Sequence, residues 1–183
     1  MTYVFLLIVL AIAAWAMFAF NRLVRLRNQV KTAWADIDVQ LQRRHDLVPA
    51  LVAAVQAYAG HESATLQAVS ELRTRAMAQT RPGPLGEVEA SLERELGRLI
   101  ALQEAYPDLK ANQNFERLQQ DLVEVEEQLQ YARRFYNGAV RDYNDGTQRI
   151  PDALIAGPFG FKGAEFFQAE SGSRDAVKVE MPE

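Results

Sequence analysis

NQNFERLQQDLVEVEEQLQYARRFYNGAVRDYNDGT, residues 112–147, decides the fold. Phe115, Leu118, Leu122, Val125, Leu129, Ala132, Tyr136, Val140 and Tyr143 recur at intervals of 3, 4, 3, 4, 3, 4, 4 and 3. That rhythm writes one apolar seam on an α-helix, because every third or fourth residue returns to the same face. Glu116, Arg117, Glu124, Glu127 and Arg134 fall outside the seam. Asn112 or Asn114 can cap the start, since an Asn side chain accepts from the free N–H groups of a first turn. Asp145-Gly146 reads as the stop, and Pro151 bars resumption.

Working upstream, Val88, Leu92, Leu96, Leu99 and Leu102 predict a shorter helix, about Leu85 to Ala105. Arg81-Pro82-Gly83-Pro84 is the loop before it, and Tyr106-Pro107-Asp108 ends it. Between Leu23 and Met77 the apolar residues again keep a helical period, interrupted by Pro49. Two readings are open. Asp46 caps a new helix with Pro49 in its first turn, giving a hairpin of helices 23–45 and 47–79; or one long rod runs through with a kink at Pro49. The seam stays in phase across Pro49, and no Gly turn precedes it, which favours the rod. The lengths of the helices that must pack against it favour the hairpin, and the hairpin is the expectation carried forward.

Further upstream, Tyr3 to Phe20 reads YVFLLIVLAIAAWAMFAF, without a charge, an amide or a proline. Eighteen residues make about 27 Å of helix at ~1.5 Å per residue, close to the ~30 Å hydrocarbon core of a bilayer. The run is apolar on all faces, where a soluble helix shows one stripe. No basic residue precedes it, and Trp15, Phe18 and Phe20 crowd the place where a signal peptidase needs small residues. The expectation is a retained anchor bounded by Tyr3 and Phe20, with Arg22, Arg25 and Arg27 at its exit. Lys31 follows them, and the positive-inside rule then puts the N-terminus outside and the remainder in the cytoplasm.

Composition excludes several function classes. No cysteine is present among the 183 residues, which removes disulfides, thiol nucleophiles, Cys-zinc sites and iron–sulfur clusters. Net charge is -4, and basic residues do not cluster beyond the membrane flank, so no nucleic-acid partner is expected. His45 and His61 are the only histidines; His61-Glu62 does not open an HExxH, and both are read as surface or helix-end residues. There is no GxSxG and no phosphate loop. The Gly-rich run Gly157 to Gly163 follows no strand, so it is not read as a phosphate cradle. No catalytic residue, metal ligand or cofactor is assigned.

Ile150 to Ala169 reads IPDALIAGPFGFKGAEFFQA and holds four of the nine Phe residues. Leu154, Ile155, Phe159, Phe161, Phe166 and Phe167 form an apolar cluster that something must cover. It plugs one end of the bundle, contacts another protomer, or dips into the membrane surface. On the long helix, Arg133, Asn137, Arg141 and Asn144 share one face. That polar stripe can meet Asp36 and Asp38, which point away from the seam carrying Trp34 and Ile37, or form a subunit contact.

Three stretches resemble the LemA family of bacterial membrane-anchored proteins. They are FNRLVRLRNQVKTAWADIDVQLQRRHDLVPALVAAVQAYAGHE (residues 20–62), EAYPDLKANQNFERLQQDLVEVEEQLQYARRFYNGAVRDYN (104–144) and IPDALIAGPFGFKGAEFF (150–167). Residues 65–103 carry no such signature. The resemblance implies a helical bundle on a single-pass anchor and no particular reaction. Members are often encoded near membrane zinc proteases, which hints at a partner.

The expected organisation is an all-α chain. An anchor at 1–21 precedes an antiparallel bundle at 22–148, of four helices or of three with one long kinked first helix. A non-helical Phe/Gly-rich segment follows at 149–170, then a polar tail at 171–183, read as disordered. The expected function is a non-enzymatic scaffold that self-assembles as a homo-oligomer and associates with an integral-membrane partner. The alternatives are a regulatory subunit of a membrane zinc metalloprotease, and a membrane-remodelling or lipid-binding protein.

Overall fold

The computed structural model describes residues 1–167; the tail expected at 171–183 lies outside the described residues. Every regular element among the described residues is helical: α1 Thr2–Gln56, α2 Ser63–Met77, α3 Pro82–Ala101, a 3-10 turn at Leu102–Glu104, α4 Pro107–Lys110, α5 Gln113–Gln148 and α6 Ala153–Ala156. The all-α expectation therefore stands. Two compact units divide the chain, one of Met1–Leu41 with Glu127–Phe166, the other of Gln42–Glu126 with Phe167. Both α1 and α5 supply residues to each unit.

The second unit is an antiparallel four-helix bundle. Asn112 donates to the Tyr58 hydroxyl at 2.9 Å, which sets the start of α5 beside the end of α1. Val48, Leu51, Val55, Leu66, Val69, Leu92, Leu96, Leu99, Phe115 and Leu122 fill its core together with Leu109. Asn112 caps α5 as its sequence suggests: its Oδ1 accepts from the backbone N–H of Asn114 and Phe115 at 2.9 and 3.0 Å. Pro107 occupies the first turn of α4, where a missing N–H removes nothing.

The hairpin expectation at Asp46 is corrected. Helix α1 passes through Pro49 without ending, and the chain turns at Ala57–Glu62, around Gly60. Asp46 is no N-cap; it accepts from the Gln42 amide at 2.8 Å on the exposed face. A proline inside a helix leaves the carbonyl four residues earlier without its donor. Here that carbonyl belongs to His45, and Arg73 of α2 donates its Nε–H to it at 2.7 Å. The neighbouring helix replaces the hydrogen bond that Pro49 removes.

In the first unit α1 and α5 run antiparallel: Trp34 lies against Tyr136 with ring centroids 5.3 Å apart, while Gly146 faces Leu23 and Leu26. Gly146 does not stop α5, which continues to Gln148. It is buried, and a Cβ there would meet Leu26 Cδ1 at 3.0 Å, so the glycine permits close helix approach. After α5 the segment expected to be non-helical contains one helical turn, α6. That turn is closed by a Schellman motif: Gly160 has φ +69°, the Phe161 N–H reaches the Ala156 carbonyl at 3.0 Å, and the Gly160 N–H reaches the Gly157 carbonyl at 3.1 Å. A Cβ at Gly160 would meet no atom within 4 Å, so only backbone conformation is at stake. Gly160→Ala is expected to lose about 1–2 kcal/mol and Gly160→Asn less, measured by urea unfolding of the full chain in detergent.

Candidate membrane interface and a buried polar layer

The apolar run of α1 presents itself to solvent on nearly every side. Its first fourteen residues, Met1 to Ala14, are all exposed. Among the described residues one helix is long and apolar enough to cross a membrane, and this is it. From Trp15 onward one face is covered: Trp15, Ala16 and Phe20 are half-buried, Ala19 is 1% exposed and Leu23 fully buried. Those positions share a helical stripe.

Part of the cover is the segment after α5. Phe159 and Phe161 set their rings edge-on against Phe20, with centroids 5.1 and 5.6 Å away. Of the cations after the run, Arg22 is fixed by Asp152 of that segment at 2.7 Å. Arg27 lays its guanidinium over the Phe161 ring, 5.0 Å from the centroid. Arg25 is exposed. The expected apolar cluster is therefore split. Phe161 and Phe167 are buried, Ile155 is half-buried, and Leu154, Phe159 and Phe166 are exposed.

The polar stripe of α5 is split as well. The Asn144 amide is held by the irregular run after the Schellman turn, donating to the Ala164 carbonyl at 3.0 Å and accepting from its N–H at 2.8 Å. Arg133 and Asn137 are half-buried, and Arg141 is exposed. Asp36 and Asp38 are exposed, as their phase predicts. Tyr136 joins Asn144 in fastening this run, donating to the Glu165 carbonyl at 2.8 Å. Burial, reinforced by the Glu165 carboxylate, pushes the Tyr136 phenol up to about 12, so it remains a donor at any physiological pH.

A polar cluster in the four-helix unit was not anticipated. Arg44 is wholly buried, as is Glu89, and they meet at 2.8 Å. Arg44 also bonds Glu126, and Glu93 lies 3.8 Å from it. His45 Nε2 lies 2.7 Å from the second Glu89 oxygen. His45 is thus a buried mid-helix residue, which corrects its reading as a surface or helix-end group; His61 is exposed. Each of the four helices contributes: Arg44 and His45 from α1, Arg73 from α2 through the His45 carbonyl, Glu89 from α3 and Glu126 from α5. The signal was present in the pattern. Arg44-His45 falls between Leu41 and Val48, Glu89 between Leu85 and Leu92, and Glu126 between Leu122 and Leu129, all at seam phase.

Electrostatics makes this layer sensitive to acid. Burial alone would raise the Glu89 carboxyl, but the hydrogen bond from His45 and the charge of Arg44 outweigh it and hold it below the usual carboxylate value. A carboxyl depressed in the folded state contributes stability that is complete above its unfolded value, about 4.3, and is lost as pH falls through the folded one. Stability of the chain is expected to fall more steeply below about pH 4 than that of Glu89→Gln, as followed by urea midpoints against pH. Among the described residues no group of His and carboxylates is arranged to hold a metal ion.

The chain is similar to three magnetosome proteins. MamQ 2 and MamQ 1 of Paramagnetospirillum magneticum (strain AMB-1) are each 26% identical to it over 186 positions, covering 87% of this chain and 68% of theirs. MamQ of Magnetospirillum gryphiswaldense is 22% identical over 174 positions, covering 81% of this chain and 64% of its own. The LemA family profile matches residues 33–181, from the AWADID stretch of α1 through the polar layer and the Phe-rich segment. On that match, which spans most of its length, the chain belongs to the LemA family.

Proposed function

We propose that this protein is a non-enzymatic scaffold anchored in the bacterial inner membrane by α1, assembling there with itself or with an integral-membrane partner. One observation carries the reading: the exposed apolar run of α1 continues without a break into the helix that builds the bundle. An exposed run of this length and hydropathy has no aqueous use. A helix that is at once anchor and structural member ties the rest of the chain to the bilayer. Confinement there raises effective concentration, so modest contacts suffice for assembly. The basic exit Arg22, Arg25, Arg27 and Lys31 supports a cytoplasmic bundle.

Native mass spectrometry of the full chain, gently extracted from its own membranes, tests the assembly. A homo-oligomer of defined count, or a stoichiometric second protein, is expected. A bare monomer defeats the scaffold. A single cysteine at the exposed Gln128, probed with an impermeant maleimide in intact cells, tests the orientation, and labelling there overturns the cytoplasmic placement.

A further inference from the structure

The segment after α5 meets α1 at the end of the apolar run, not beyond it. Its rings touch Phe20, the last residue of that run. The covered face of α1 reaches back to Trp15, five residues earlier in the sequence, or about 7.5 Å along the axis at 1.5 Å per residue. With Tyr3 to Phe20 in hydrocarbon, residues beside Phe20 lie at the boundary between acyl chains and headgroups. That distance falls within the ~5–10 Å to which interfacial amphipathic elements sink.

The same segment leaves apolar side chains exposed, Phe159 beside Phe20 among them. Ile150 is 78% exposed, Leu154 64% and Phe159 61%. Arg149 and Lys162 of this stretch are exposed, as are Arg25 and, over the Phe161 ring, Arg27 at the exit of α1, while Arg22 is engaged with Asp152. Asp145 and Glu165 are the exposed acids nearby in sequence. Exposed apolar side chains with exposed cations in the same stretch and at the exit of α1 suit a boundary where acyl chains meet phosphates. Asp152, the acid within the segment, is buried and neutralised by Arg22, so it does not oppose entry.

We propose that Ile150–Lys162 is a second, non-spanning membrane contact. It is an apolar wedge that enters the headgroup–acyl boundary of the leaflet through which α1 exits, with anionic phospholipid headgroups as its ligands. The proposal rests on α1 being the anchor. It gives the anchored unit two points of attachment, so that this unit is held in orientation as well as in place.

Single cysteines are straightforward to install, because the chain has none of its own. Nitroxide labels on Phe159→Cys, Leu154→Cys, Leu10→Cys and Val39→Cys are placed in the full chain, reconstituted in phosphatidylcholine–phosphatidylglycerol vesicles. Collision rates with oxygen and with a water-soluble nickel chelate then report depth. The labels at 154 and 159 are expected to favour oxygen severalfold over nickel, approaching the label at 10, while the label at 39 favours nickel. Labels at 154 and 159 that favour nickel, with the label at 10 in hydrocarbon, overturn the wedge and leave the anchor. A label at 10 that also favours nickel removes the anchor itself. Labels at 154 and 159 shielded from both reagents mean a protein occupant, a second copy or a partner, and overturn the lipid assignment.

Discussion

Replacing Arg44 with methionine is expected to lower stability by about 3–5 kcal/mol. Methionine fills similar volume, so little of the loss comes from packing. It comes from what is left behind: the Glu89 carboxylate, fully buried, with His45 as its remaining close partner. Glu93 and Glu126 also lose their cation, but both keep some access to water and suffer less. The same logic predicts rescue. Arg44→Met combined with Glu89→Leu removes both buried charges and is expected to recover most of the loss, because an apolar pair is often as stable as the ion pair it replaces. Urea unfolding of the full chain in detergent measures all three. A single mutant within about 1 kcal/mol of the parent shows that the layer is solvated, contrary to its burial.

The second large effect separates two neighbouring rings. Phe161→Ala is expected to cost about 3–5 kcal/mol, since the ring is buried beneath Arg27 and against Phe20 and its removal leaves a void. Phe159→Ala is expected to cost about 1 kcal/mol, the value of one edge-to-face contact. Thermal melts followed by near-ultraviolet circular dichroism compare the two. Equal losses sink the division into an inner and an outer ring. Changing both rings together blurs a core defect with a surface one, so only separate substitutions inform on binding.

The long seam of α5 was legible position by position, because periodicity is a local property and nothing in that helix interrupts it. The cap at Asn112 was legible for the same reason. The apolar span needed only length and composition. The helix break was misplaced because Pro49 argues for an ending with a penalty of ~3 kcal/mol, and what offsets it is a donor from Arg73, twenty-eight residues from the His45 carbonyl that accepts it. The actual break at Gly60 carries no comparable punctuation. The polar layer was missed because a charge beside an apolar seam looks solvated until three helices bring such charges to one level. The Phe-rich segment was visible as a cluster, but which ring faces inward depends on the positive φ of Gly160 and on a contact with Phe20, 139 residues before Phe159. Of the candidate site, sequence delivered the residues and not their sides.

Pro49 and Arg73 also constrain the order in which this chain can change. While Pro49 stands, losing Arg73 strands the His45 carbonyl, so that substitution is harmful. Once Pro49 has become any residue with an N–H, the helix supplies its own donor and Arg73 is released. The reverse order passes through a deficit. Two positions on different helices, neither in the apolar core, thus form a one-way path: the proline can leave first and the arginine second, and a lineage that has lost the arginine has a reason never to acquire the proline.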